Sequence, residues 1–443
     1  MKESVLFSDV TVLSADSNGQ IVTKPHAFVA VKDGLILGCF STEKEAREAF
    51  AFEPFVLYPG KDRLLLPSFA NTHNHMAMTL LRNSADDLEL HRWLFDVIFP
   101  REARLTNEMV AAGSRLALVE MIRSGTGASA DMYYFHEETV KAALEAGFRL
   151  NFSVDVQSSV ANQTLDENKL AEQMNRYTHD PSGLLRASML VHSVYLYEPK
   201  IYPLLAELAK SLSCPVQVHV AETQKEVDEC LEKHGRKPAA QLAHYGFFQT
   251  PTLAAHCVHL DDSERAVLAR PCVFVSHCPA SNLKLGSGIA DVTALQSAGA
   301  TVVLGTDGPA SNNNLDLYRD MRLASFLAKG TSYDASRLPA DIVLKMVTVD
   351  GMRALGFSDC GRIEAGWQAD LQIVRTDGPE MTPLGNPVSA MVYSASSFDV
   401  ESVMVAGRWL MKRQALKTLD EEKIRYEAVC AAESLISDSL ASH

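Results

Sequence analysis

A chain of 443 residues, 47% hydrophobic and 22% charged, has the apolar content of an ordinary globular protein with room for one large domain and a smaller one. The formal net charge of −14 argues against nucleic acid or an anionic membrane surface as a main partner. No apolar run approaches the roughly 18–20 residues that span a bilayer, and acidic residues interrupt the N-terminal stretch Met1–Asp9 before a signal-peptide core can form. The eight cysteines are scattered with no C-x-x-C pair, so neither a disulfide framework nor a thiolate metal site is expected, and the compartment reads as cytoplasm.

Short β-like pieces come first, at Val5–Leu13 and Phe28–Ile36, with a turn signal at Asp33-Gly34. From residue 64 onward, apolar strand-like runs alternate with helical stretches. Eight runs are expected as strands: Leu64–Ala70, Gly127–Met132, Phe148–Val156, Ala187–His192, Pro215–His219, Thr252–His256, Cys272–Ser276 and Thr301–Thr306. Between the first two, Thr106 is placed to cap a helix, with Glu108 in its first turn and Gly125 beyond its end. Strict alternation implies a parallel sheet, and eight units over this length suit an α/β fold of the (β/α)8 barrel type across residues 64–359. A doubly wound sheet fits less well, because no G-x-G-x-x-G turn follows the first strand. Cys257, Cys272 and Cys278 read as small core residues. Beyond residue 360 the β-like style returns, at Ala369–Val374 and Val400–Trp409. Residues 1–63 and 360–443 are therefore expected to form one small β-sandwich-like domain, ending in a solvated surface helix at Leu419–Ser442.

The apolar runs end in polar groups of one chemical kind. His73 and His75 follow the first run in alternate positions, which point the same way in extended backbone. Such an imidazole pair suits a borderline metal such as zinc. His219 is followed three residues later by Glu222, His256 closes the sixth run, and Asp307-Gly308 follow the eighth. Polar groups gathered at the C-terminal ends of parallel strands are where barrel enzymes carry their sites.

The segments Asn71-Thr-His73-Asn-His75, His219-Val-Ala-Glu222-Thr, Ala255-His256-Cys-Val-His259, Ser276-His277-Cys-Pro-Ala-Ser-Asn282-Leu-Lys284 and Gly305-Thr-Asp307-Gly308, with the tail Gly361–Leu371, together resemble the amidohydrolase superfamily. Within it the chain is similar to the 5-methylthioadenosine/S-adenosylhomocysteine deaminases and related chlorohydrolases, over nearly its full length. The resemblance implies a single divalent metal, zinc or else iron, held by His73, His75, His219 and Asp307. The fourth run, Ala187–His192, lacks the lysine that bridges two metals in binuclear relatives. It implies that Glu222 passes a proton to the substrate ring, that His256 orients the attacking water, and that Asp307 acts as base. It further implies ribose contacts from Glu102 and His192 and packing of Trp93 against the base, though Trp93 reads equally well as core filling. Ser281, Asn282 and Lys284 are expected to brace loops.

One departure concerns the substrate. Relatives that accept S-adenosylhomocysteine carry an arginine near the end of the third strand, whereas this chain has Asp155 and Gln157 there and Arg149 at the opposite end. That favours neutral 5′ substituents: methylthioadenosine, 5′-deoxyadenosine or adenosine. A deaminase or chlorohydrolase of another heterocycle (guanine, cytosine, a pterin, a triazine) is the alternative, and an inactive barrel serving as a binding protein a remote one. The expected partner is a small-molecule nucleoside. The oligomeric state, a homo-oligomer included, stays open.

Overall fold

A computed structural model describes residues 2–161, 164–177 and 180–437. Among these residues, eight parallel strands form a barrel: β1 (Phe69–Asn71), β2 (Thr126–Asp131), β3 (Arg149–Asp155), β4 (Leu185–Leu190), β5 (Val216–Val220), β6 (Thr252–His256), β7 (Val273–His277) and β8 (Thr301–Leu304). Runs such as Val216–Val220 and Val273–His277 are buried on both faces because helices cover one side and the barrel interior the other. The ring closes where the Thr72 amide donates to the Leu304 carbonyl at 3.1 Å and the Asp307 amide to that of His73 at 3.0 Å. No helix among the described residues is long and apolar enough to cross a membrane.

The expected strand Leu64–Ala70 is in fact two. Arg63–Pro67 pairs antiparallel with Leu371–Arg375 in a second sheet, and only Phe69–Asn71 belongs to the barrel. The chain changes sheets at Pro67-Ser68, where Pro67 has no amide to continue the ladder and Ser68 donates to Asp370 instead. The expected strand Phe28–Ile36 is also divided, at the Asp33-Gly34 turn. There φ values of 53° and 90° join Ile21–Lys32 to Leu35–Phe40 as a tight hairpin.

Both chain ends combine in one continuous nine-stranded sheet, in which Arg63–Pro67 lies between Val5–Ala15 and Leu371–Arg375, followed by Val400–Val405 and Arg408–Lys412. Phe7, Tyr58, Leu371 and Trp409 share its apolar core. A buried ion pair between Arg149, at the start of β3, and Asp370 pins barrel and sheet together. Thr106 caps the helix Asn107–Arg123 as expected, accepting from the Met109 amide at 3.3 Å. Cys257 and Cys278 are buried, and Cys272 is partly so.

The last helix differs from its expectation. It spans Glu421–Ser437 and buries Ile424, Ala428 and Leu435, the latter two within the apolar cluster that also holds Trp93 and Ile98. Residues 438–442 of the expected helix lie outside the described residues.

Candidate active site

The polar strand ends converge at one end of the barrel. His73 and His75 follow β1, His219 lies near the end of β5, His256 closes β6, and Asp307 follows β8. The ring centroid of His73 lies 4.9–5.3 Å from those of His75, His219 and His256, and that of His219 lies 5.5 Å from His75, 5.4 Å from His256 and 4.8 Å from His192. Two glycines make that crowding possible. A Cβ on Gly305 would stand 2.8 Å from the Cβ of His73, and one on Gly308 would stand 2.7 Å from the sulfur of Met78 and 3.1 Å from the Cβ of His75. Ala221, His256, Cys257 and Asp307 adopt left-handed backbone, with φ between 48° and 70°, as the strands turn into their loops. For residues with a Cβ this costs about 1–2 kcal/mol each.

Hydrogen bonds fix which ring nitrogens face the centre. Nδ1 of His75 donates to the Met132 carbonyl at 2.5 Å and Nδ1 of His219 to the His192 carbonyl at 2.7 Å, so each ring turns its Nε2 inward, where the neutral form presents a lone pair. The Nε2 of His73 is buried without a hydrogen-bond partner. Asp307 Oδ1 lies 3.5 Å from that atom and 3.2 Å from His75 Nε2. The Gly308 amide donates to Oδ1 at 2.7 Å, while the hydroxyls of Ser281 and Ser311 donate to Oδ2 at 2.5 and 3.0 Å. Ligand atoms of His73, His75 and His219 lie within 4.8 Å of one another, as do those of His73, His256 and Asp307. His73, His75 and His219, with Asp307 beside the first two, offer the three imidazoles and the carboxylate that suit one divalent cation.

The electrostatics agree with that fit. Burial lowers His73 to about 4 and holds His219 well below the ordinary imidazole value, leaving both neutral and able to bind metal. Burial also lowers His75, but the adjacent Asp307 outweighs it and pushes the ring up to about 9. Asp307, despite burial, is held well below the usual carboxylate range by His73 and His75. Between them these groups demand positive charge, which a divalent cation supplies.

Beside the cluster, Glu222 Oε2 lies 3.7 Å from His256 Nε2, and the Ser287 hydroxyl donates to Glu222 Oε1 at 3.1 Å. Burial pushes the Glu222 carboxyl above its ordinary value. Nδ1 of His256 donates to Asn282 Oδ1 at 2.8 Å, directing Nε2 toward Glu222. Of the three expected loop braces, Ser281 and Asn282 therefore contact site residues directly. Lys284 ties loops together through Asp86, Asn313 and the Ala310 carbonyl.

Glu226 was not anticipated. Its carboxylate accepts the backbone amides of Ala221 and Glu222 at 3.1 and 2.8 Å, fixing the turn that aims Glu222. A signal was available: Thr223 caps the next helix and Glu226 stands at its third position, the capping-box spacing. Here the glutamate reaches past the cap to the two residues before it.

A cleft opens above the cluster. His75, His219, Glu222, His256 and Asp307 line it, together with Trp93, Glu102 and His192, while His73 lies behind. The Oε1 of Glu102, the Nδ1 of His192 and the Nε1 of Trp93 are buried without partners, three polar atoms that a ligand could satisfy. Burial raises Glu102 to about 7 and, with His75 and His73 nearby, lowers His192 to about 3. Trp93 is only 4% exposed and packs with Leu94 and Ile98, so it fills core and lines the cleft at once. No lysine or arginine lines the cleft among the described residues. Arg82 pairs with Glu120, Arg149 with Asp370, and Arg186 reaches the Gly356 carbonyl over the ring of Phe357.

The amidohydrolase family model matches residues 64–410, the whole barrel and part of the sheet. The chain belongs to the amidohydrolase family. Among similar amidohydrolases, a 5-methylthioadenosine/S-adenosylhomocysteine deaminase of Acetivibrio thermocellus is 38% identical over 424 residues, covering 96% of this chain and 97% of its own. A 5′-deoxyadenosine deaminase of Methanothermobacter thermautotrophicus is 41% identical over 381 residues, covering 85% and 88%. The crystal structure of an adenosine deaminase from Xanthomonas campestris with bound zinc superposes with a TM-score of 0.92 at 32% identity, covering 98% of this chain and 99% of that one. Metal dependence is general to amidohydrolases, and the residues above fit one cation.

Proposed function

We propose that this amidohydrolase hydrolytically deaminates adenosine-type nucleosides, releasing ammonia and leaving the inosine analogue. The observation that carries the reading is a single cleft. It holds a buried carboxyl, Glu222, beside the imidazole–carboxylate cluster, and three unpartnered polar atoms, on Glu102, His192 and Trp93, along its wall. The names of the similar deaminases support it.

His73, His75, His219 and Asp307 would hold one cation, zinc in the first instance and iron as the alternative; β4 contributes no lysine for a second. When bound, the cation supplies Lewis acidity that brings the pKa of water toward about 7. The protein's own groups manage the protons. Asp307 takes a proton from the attacking water. His256, its Nε2 fixed inward by Asn282, orients that water by accepting a hydrogen bond. Glu222, whose raised carboxyl carries a proton readily, delivers it to the ring nitrogen beside the attacked carbon. The proton held on Asp307 then passes to the amino group, which departs as ammonia, while the hydroxyl on the attacked carbon becomes the carbonyl and its proton returns to Glu222. Glu102 accepts from the ribose hydroxyls and His192 contacts the sugar or its 5′ end, while Trp93 packs against the base.

The test is ammonia release from a panel containing methylthioadenosine, 5′-deoxyadenosine, adenosine, S-adenosylhomocysteine, free adenine, guanine and a triazine. Neutral 5′-substituted nucleosides are expected to show the highest kcat/KM and free adenine almost none. A guanine or triazine substrate in first place would overturn the nucleoside reading.

A further inference from the structure

Resting on the nucleoside reading, we infer that Asp155 and the aromatic residues that share its cavity form a subsite that discriminates charge at the 5′ substituent, so that among nucleosides with a charged 5′ chain the enzyme prefers one ending in an amine to one ending in a carboxylate. The geometry is linear. The metal-ligand cluster marks the position of the base and Glu102 that of the ribose. Glu102 also lines a second, larger cavity that continues outward from the cleft. Phe99, Tyr134, Asp155, Gln157 and Tyr197 line both, so whatever the ribose carries at its 5′ carbon enters their company.

That company favours positive charge. Asp155 ends β3, and its carboxylate accepts one hydrogen bond, from the Gln157 amide at 2.9 Å. Among the described residues no cationic side chain pairs with it, and no lysine or arginine lines either cavity. The other acids of the outer cavity are already neutralised, Glu137 by Arg176 and Glu138 by Lys141. Asp155 and Glu102 are not, and Glu102 keeps a buried oxygen with no partner at the junction of the two cavities. Burial raises Asp155 to about 6, the condition of a carboxylate that lacks a counter-charge. Tyr134 and Tyr197 stand close enough for its charge to act on their hydroxyls. A carboxylate without a counter-charge in a cavity lined by Phe99, Tyr134 and Tyr197 suits an ammonium, through a charge-assisted hydrogen bond to the carboxylate. It disfavours a carboxylate on the same principle.

The experiment compares three adenosines bearing 5′-methylthio, 5′-(2-aminoethyl)thio and 5′-(2-carboxyethyl)thio groups, with wild type and Asp155→Asn. In wild type the amine is expected to exceed the carboxylate in kcat/KM by about 10-fold or more, the scale of a charge-assisted contact, with the difference carried by KM. Normalised to the methylthio compound for each protein, Asp155→Asn should reduce that ratio to within about 3-fold, and raised ionic strength should narrow it in wild type. Equal rates for amine and carboxylate in wild type, or a ratio untouched by Asp155→Asn, would overturn the inference while leaving the nucleoside reading intact. Failure to deaminate any of the three would overturn both.

Discussion

Replacing Glu222 with glutamine separates the proton it carries from the space it fills. The amide has the same outline, its oxygen can still accept from the Ser287 hydroxyl, and its nitrogen would face His256 Nε2, which accepts. The turn that aims the side chain is held by Glu226 through two backbone amides, neither of which involves the Glu222 side chain. Little geometric loss is therefore expected, and what disappears is proton delivery. Groups in that role contribute about 10²–10⁴ in rate, or roughly 2.7–5.5 kcal/mol on the barrier. Glu222→Gln should retain its metal by elemental analysis and leave KM within a few-fold. Its kcat, followed by ammonia release from methylthioadenosine, should fall by that factor. A variant with intact metal and kcat within about 3-fold of wild type would refute the assignment and make Glu222 a bracing residue.

Exhaustive chelation should abolish activity and lower the thermal midpoint, since a ligand bound only to the folded state contributes about 4 kcal/mol at a thousand times its Kd; zinc should restore both, and full activity in the metal-free protein would exclude the mechanism. Because burial raises Glu102 to about 7, the carboxylate that accepts from ribose is present above that pH and is lost as pH falls through it. KM for nucleosides should therefore rise between pH 8 and pH 6 in wild type, by about 10-fold once the carboxyl is protonated, and stay flat in Glu102→Ala, which starts from the raised value. Asp370→Ala strands the Arg149 guanidinium, whose side chain is 4% exposed, at a cost of about 3–5 kcal/mol read from the urea midpoint; a shift below about 1 kcal/mol would show the pair to be dispensable.

The barrel was legible because its strands are short apolar runs at regular intervals, each closed by a polar residue that the sheet itself has no use for. His73, His75, His219, His256 and Asp307 stood out on that ground, and their convergence followed from parallel-strand geometry. What escaped was set by tertiary partners. Leu64–Leu66 and Phe69-Ala70 are both apolar because the chain is buried in one sheet up to Pro67 and in another after Ser68, so only the Pro67-Ser68 pair between them marks the crossing. In the last helix, charge masked a narrow stripe of Ile424, Ala428 and Leu435 that packs inward. Glu226 works through the backbone amides of Ala221 and Glu222 and not through a group that meets substrate, and only its capping-box spacing pointed to it.

The four left-handed residues at the strand ends make the part of the barrel rim that carries the site residues strained. Glycine at Ala221 or Cys257 would relieve about 1 kcal/mol of local strain, the reverse of its usual effect inside a fold. It would also free the backbone between His219 and Glu222, or beside His256, to wander. Selection for heat resistance alone would therefore be drawn toward substitutions that blunt the enzyme, and variants screened for both properties should keep Ala221 and Cys257 while gaining their stability elsewhere in the molecule.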